Sequence, residues 1–173
     1  MTRARAAAGS LVFLLLAPGV TAGLVPWLLT GWESTGPPLV LRVVGAVLIA
    51  AGLAVLTGAF ARFVLEGVGT PAPVAPTSQL VVGGLYRHVR NPMYVAVAAT
   101  IAGQALVLGR PLLLAYAALF LAVTAAFVRL YEEPALTRQY GEEYEDYRRA
   151  VPGWWPRLRA WRPGLGSRPR SSR

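Results

Sequence analysis

The chain has 173 residues, 55% apolar and only 14% charged, with no cysteine and one histidine, His88. Soluble domains carry roughly a quarter charged residues, so the deficit and the long apolar blocks point to membrane; thiolate chemistry, disulfides and a histidine metal centre are set aside. The net charge of +9 comes from arginine alone, and most arginines stand at or beyond Arg129, which fits a basic juxtamembrane tail facing anionic lipid better than a nucleic-acid surface.

Arg3 and Arg5 precede an apolar run from about 11 to 30. Val20-Thr21-Ala22 would serve as a signal-peptide cleavage site. The run continues past it through Leu24 to Leu29, however, and approaches the ~20 residues that cross a bilayer. A first transmembrane helix is therefore expected, with Trp27 and Trp32 in the far interface. After a short loop a second run covers 39 to 65. Its Arg42 and Arg62 lie near the ends, where long side chains snorkel, and its Gly45, Gly52 and Gly58 allow close helix packing.

Gly67 to Gln79, with Pro71, Pro73 and Pro76, reads as an extended connector. Leu80 to Gly84 reads as a short extended segment ending in a turn. The glycines here do not have Rossmann spacing, and no alternating strand-helix pattern surrounds them. Third and fourth apolar runs cover 93 to 109 and 111 to 130, joined by the turn Gly109-Arg110-Pro111. Beyond Tyr131, the residues Tyr140, Tyr144, Tyr147 and Val151 fall on one face of a helix starting near Gly141. Trp154, Trp155 and Trp161 alternate with arginines like an interfacial anchor, and a basic tail covers 157 to 173. Arginines crowd the N-terminus, the connector and the tail, so both termini are expected in the cytoplasm.

The expected fold is thus all-α: a single polytopic membrane domain over 1 to 173, with about four transmembrane helices and a C-terminal cytosolic amphipathic helix. The tight turn brings the start of the third helix beside the end of the fourth. Two polar clusters then meet at one membrane face: Tyr86-Arg87-His88-Val89-Arg90-Asn91-Pro92-Met93-Tyr94 and Arg129-Leu130-Tyr131-Glu132-Glu133-Pro134.

The spaced pattern Gly-x-Tyr-Arg-x-x-Arg-Asn-Pro-Met-Tyr, Glu-Glu-Pro-x-Leu, Tyr-Gly-x-x-Tyr-x-x-Tyr and Val-Pro-x-Trp resembles the isoprenylcysteine carboxyl methyltransferase family. Its phospholipid N-methyltransferase relatives share parts of it. The resemblance covers about 70 to 156. It implies an S-adenosylmethionine-dependent transfer of methyl to a lipophilic or lipidated acceptor, without metal, in a bacterial inner membrane. It further implies that Tyr86, Arg87, Arg90, Asn91, Glu132, Glu133, Tyr140 and Tyr144 hold the cofactor, and that Arg90, Asn91 and Tyr94 serve catalysis. Gly141 and Tyr147 would belong with Tyr140 and Tyr144 to a covering helix. Asn91 stands where the eukaryotic pattern usually has histidine, and Tyr140 where phenylalanine is usual. Asparagine does not titrate at neutral pH, which counts against a histidine-type base there.

The residues suit that chemistry by themselves. A carboxylate such as Glu132 or Glu133 balances an ammonium or accepts ribose hydroxyls. Arg87 or Arg90 can take a carboxylate by a bidentate fork, and tyrosine faces can receive a sulfonium. The same pattern suits a phospholipid amine or a small thiol as acceptor. A non-catalytic protein holding anionic lipid by its basic, tryptophan-rich tail is the rival of another class. Neither the acceptor nor the oligomeric state is written in the sequence.

Overall fold

A computed structural model describes residues 16–62 and 80–162. Among these residues the chain is all-helical. We number the helices α1 (Leu16–Thr30), α2 (Leu39–Arg62), α3 (Pro92–Leu108), α4 (Leu112–Tyr140) and α5 (Glu142–Ala150). The connector between α2 and Leu80, the tail from 163 and the first fifteen residues lie outside the described residues, and with them the expectations placed there.

Two of these helices, α2 and α4, are long and apolar enough to cross a membrane, while α1 and α3 are shorter apolar helices. In both long helices only 17% of the most apolar stretch is buried. Large side chains such as Leu39, Val40, Val47 and Leu119 stand more than half exposed. A core helix of a soluble protein hides such a surface, whereas a helix apolar all round and uncovered needs an apolar solvent.

The helices are held together by close backbone approach. A Cβ on Gly45 would lie 2.5 Å from the Gly103 carbonyl oxygen, and one on Gly103 would lie 2.6 Å from that of Gly45. Gly52 meets Thr100 and the Ala96 carbonyl in the same way. Small residues at these points let α2 and α3 pack backbone to backbone, the arrangement that substitutes for hydrophobic drive in lipid. Leu56, Phe60, Val97, Ile101 and Leu113 fill the core alongside.

Proline shapes two helices in one way. A π-turn, Val20–Leu24, stands immediately before Val25-Pro26, and another, Val128–Glu132, immediately before Glu133-Pro134. Proline lacks the N–H that would bond the carbonyl four residues back and clashes with it; a π-turn widens the helix and accommodates the ring. In α1 the carbonyl so released, that of Ala22, accepts instead from Gln104 Nε2 at 2.6 Å, and its neighbour Thr21 accepts from the Tyr116 hydroxyl at 2.9 Å. The bulge thereby ties α1 to α3 and α4.

The apolar runs expected at 39–65 and 93–109 correspond to α2 and α3. The run expected to end near 130 does not stop there. Helix α4 continues through the second π-turn as far as Tyr140. Tyr140 is therefore the last residue of α4 and not part of the covering helix. Gly141, at φ 57 and ψ −129, makes the break a side chain would resist. The hairpin between α3 and α4 closes on Gly109, in the left-handed region at φ 69. Leu80 to Val82 has no regular secondary structure and leads through Gly83, extended at φ −79 and ψ 162, into a 3₁₀ turn at Gly84–Arg87.

Candidate active site

Helix α3 starts where α4 ends its apolar part, so the loop before α3 faces the second π-turn of α4. This loop is clamped from outside by the segment after α5. The Arg90 and Asn91 amides donate to the carbonyls of Pro152 and Gly153 at 2.9 and 3.2 Å, and the Arg157 and Trp161 amides donate back to His88 and Arg87 at 2.9 and 3.0 Å. His88 Nδ1 lies 2.8 Å from the Arg157 carbonyl, which can only accept, so Nδ1 is the donor in this contact. His88 is thus a latch for this strap. Tyr144 and Tyr147 of α5 are buried together with Val151 just past its end, and the Tyr147 hydroxyl donates to the Tyr86 carbonyl at 2.7 Å.

Arg90 is the hub. Its Nη1 donates to Glu133 Oε1 at 2.6 Å and to the Tyr144 hydroxyl at 3.1 Å, and its Nε donates to the Val151 carbonyl at 2.9 Å. Both charged side chains are nearly buried, at 14% and 13% exposed. Burial works against the Arg90 cation, but the hydrogen bonds and charge interactions with Glu133 and Tyr144 together outweigh it and hold the guanidinium above its ordinary pKa. Arg148 of α5 reaches the other Glu133 oxygen at 3.5 Å. On the membrane side the Tyr94 hydroxyl donates to Glu132 at 3.2 Å. The Tyr94 ring stacks on Trp154 with centroids 6.3 Å apart and meets Phe120 at 6.5 Å. Burial pushes the Tyr86 and Tyr147 phenols up, and does the same to Tyr144 against the pull of Arg90.

A cavity of about 730 Å³ opens beside this cluster. Arg90, Arg129, Arg138 and Arg148 line it with Glu133 and Glu145, and Ala125, Val128 and Trp154 add apolar surface. Its lining carries a cationic excess together with a few apolar side chains.

The structure thus brings together Arg90, Glu132, Glu133, Tyr94 and Tyr144, with Asn91 and the Tyr86 carbonyl alongside. Asn91 is buried, and among the described residues neither its Nδ2 nor the Arg87 Nε has a partner. Tyr140 packs at the edge of the tyrosine cluster, with Gln139 donating to its hydroxyl at 3.1 Å. Arg148 and the roles of Gly153 and Trp154 were missed in the sequence. Arg148 follows Tyr144 by four residues, on the same helix face, and that spacing was the available signal. Of the tryptophans read as a common anchor, Trp154 and Trp161 turn inward onto Tyr94 and Tyr147, while Trp155 is 83% exposed.

The helices and this cluster define a helical membrane protein with a polar, partly buried centre at one end of its bundle. A sequence model of the phospholipid methyltransferase family matches residues 40–143, well over half of the chain, and the chain belongs to that family. No curated protein matches it. The matched region contains both polar clusters, while most of α5 and the strap lie beyond it.

Proposed function

We propose that the protein transfers methyl groups from S-adenosylmethionine to a lipophilic acceptor drawn from the membrane. In this reading α1 to α4 all span the bilayer, residues 1 to 173 form one domain, and both termini face the cytoplasm. The carrying observation is the pairing of Arg90 with Glu133 inside a ring of tyrosines, where an apolar hairpin meets water.

The residues suit the methyl donor. Its ammonium calls for carboxylates, which Glu132 and Glu133 offer; its carboxylate calls for N–H donors, which Arg87, Arg90 and Asn91 offer; its sulfonium suits tyrosine faces. The orphaned Nδ2 of Asn91 and Nε of Arg87 are donors still in want of an acceptor. When bound, S-adenosylmethionine supplies an activated methyl group ready for in-line displacement. The chain's part is positioning and exclusion of water. Tyr144 and the Val151 carbonyl hold the Arg90 fork, Tyr94 holds Glu132, and Trp154 covers Tyr94. An acceptor oxyanion needs no base. A phospholipid amine, the acceptor that the family match favours, must lose a proton, and Glu132 is the carboxylate we assign to receive it.

The test is calorimetric titration of the detergent-purified chain with S-adenosylhomocysteine, followed by incubation with radiolabelled S-adenosylmethionine and membranes. Saturable binding and label in the lipid fraction support the reading. Absence of binding overturns it in favour of a lipid-holding scaffold.

A further inference from the structure

We propose that the strap, residues 152–162, has two working faces: the inner one clamps the loop before α3, and the outer one docks on an anionic phospholipid surface. Docking then holds the clamp shut. Trp154 and Trp161 of the strap pack inward on Tyr94 and Tyr147. Trp155 and Leu158 do the opposite and stand 83% and 99% exposed. The backbone between them is tied down. The Arg157 amide donates to the His88 carbonyl, its own carbonyl accepts from His88 Nδ1, and its Nη1 donates to the Ala150 carbonyl. With Arg157 so pinned and the Trp161 amide bonded to the Arg87 carbonyl, Trp155 and Leu158 stay turned outward.

The strap lies at the depth of the bilayer boundary. Trp154 stacks on Tyr94, in the first turn of α3. It also shares a cavity lining with Ala125, four residues before Arg129, the first charged residue of α4. Its neighbour Trp155 therefore leaves the bundle where the helices turn from apolar to charged, the level at which tryptophan settles in membranes.

Charge names the occupant. From 147 to 173 the chain holds eight arginines and no aspartate or glutamate. Arg159 and Arg162 are exposed beside the apolar tip. Cations next to exposed tryptophan and leucine suit a surface that is anionic in its headgroups and apolar beneath. A second copy of the chain meeting this face would bring like charges together. The same segment also fastens the site, since the Arg90 and Asn91 amides bond the Pro152 and Gly153 carbonyls. A surface that binds the outer face stabilises the closed strap alone, and so shifts local opening toward the closed state.

The chain has no cysteine, so Leu158→Cys gives a single labelling point at a side chain that packs against nothing. Glu142→Cys, at the exposed start of α5, is the aqueous comparison. Each full chain, labelled with nitrobenzoxadiazole, is placed in nanodiscs of dioleoylphosphatidylcholine or of its equal mixture with dioleoylphosphatidylglycerol. In the anionic discs the label at 158 should be quenched by doxyl-labelled phospholipid and shielded from iodide, and the label at 142 the reverse. A label at 158 that behaves like the one at 142 overturns the docking. One shielded from both quenchers points to a second copy of the chain and overturns it equally. Hydrogen exchange of the unlabelled parent reads the coupling. Strap amides should exchange more slowly in the anionic discs, by roughly fivefold for each docked arginine. Combining Arg159→Gln with Arg162→Gln should lose about 25-fold of that protection. Equal exchange in the two bilayers overturns the coupling, even where residue 158 is embedded. Neither readout involves S-adenosylmethionine, and failure of the methyl-transfer reading leaves both unchanged.

Discussion

The bundle carries an arginine–glutamate pair at each of its ends, and they differ in everything but residue type. Arg110 and Glu33 meet at 3.4 Å with Glu33 80% exposed, and Arg110 also donates to the Glu33 backbone carbonyl. Arg90 and Glu133 meet at 2.6 Å with both side chains nearly buried, and each has a further charged or polar partner. Exposed pairs contribute little because water and salt compete for both ions. A buried pair is costly to desolvate and tolerable only where its remaining donors and acceptors are satisfied. The difference teaches that Arg90 is both a structural hub and a site residue, so its loss should damage the fold as well as binding.

The largest expected effect follows from that. Arg90→Gln leaves Glu133 buried with only the longer Arg148 contact, and frees the Val151 carbonyl. Removing one member of such a pair costs about 3–5 kcal/mol. Thermal unfolding in detergent should shift strongly downward, and S-adenosylhomocysteine binding should fall with it. An Arg90→Gln chain as stable as the parent would mean that the pair is no hub and that the two ends of the bundle are alike.

A smaller effect belongs to Tyr147. Its buried hydroxyl serves only the Tyr86 carbonyl in the contacts above, so Tyr147→Phe should cost roughly 1–2 kcal/mol. Isothermal denaturation should register it, with the expected secondary effect of loosening α5 over the site.

The same tyrosines set a pH limit. Burial raises the phenol pKa of Tyr86, Tyr144 and Tyr147 above the ordinary value of 10.0. Above pH 10 the unfolded chain loses these protons first, so the native state binds more protons and stability falls as pH rises. Stability should therefore be insensitive to these groups below pH 10 and decline above it. Tyr147→Phe should make that decline shallower, as melting curves at pH 9 and pH 11 would record. An equally steep decline in the variant would place the titration elsewhere.

Much of this arrangement was legible because lipid restricts what a chain can do. Apolar runs near spanning length can only be helices, and the turn at Gly109 forced Arg90 and Glu133 to one end. What stayed hidden needed phase or long-range contact. Pro134 in a polar stretch suggested the end of a helix, whereas a π-turn let α4 run on to Tyr140. The four-three-four spacing from Tyr140 to Val151 suggested one helix, because period counting takes no account of backbone sign at Gly141. The mutual pairing of Arg90 and Glu133 was hidden as well, since complementary charges that each suit a ligand also suit one another. Gly153 carried no signal at all: what it contributes is a backbone carbonyl, to an amide more than sixty residues away.

The smallest expected effect is the sharpest control. Arg110→Gln removes a charge from the far end of the bundle, where its partner Glu33 is largely in water. An exposed pair of this kind contributes about 0–1 kcal/mol, and the loop it spans is independently fastened by Thr35, whose amide donates to the Leu108 carbonyl at 2.9 Å. Melting should barely move, and S-adenosylhomocysteine affinity should stay at the parental value. Raising ionic strength to about 1 M shortens the screening length to roughly 3 Å. That should erase any residual difference between Arg110→Gln and the parent while leaving the deficit of Arg90→Gln in place. If salt instead rescues Arg90→Gln, or if Arg110→Gln binds as poorly as Arg90→Gln, the distinction between a shielded centre and an exposed clasp fails, and the centre loses its claim to be the site.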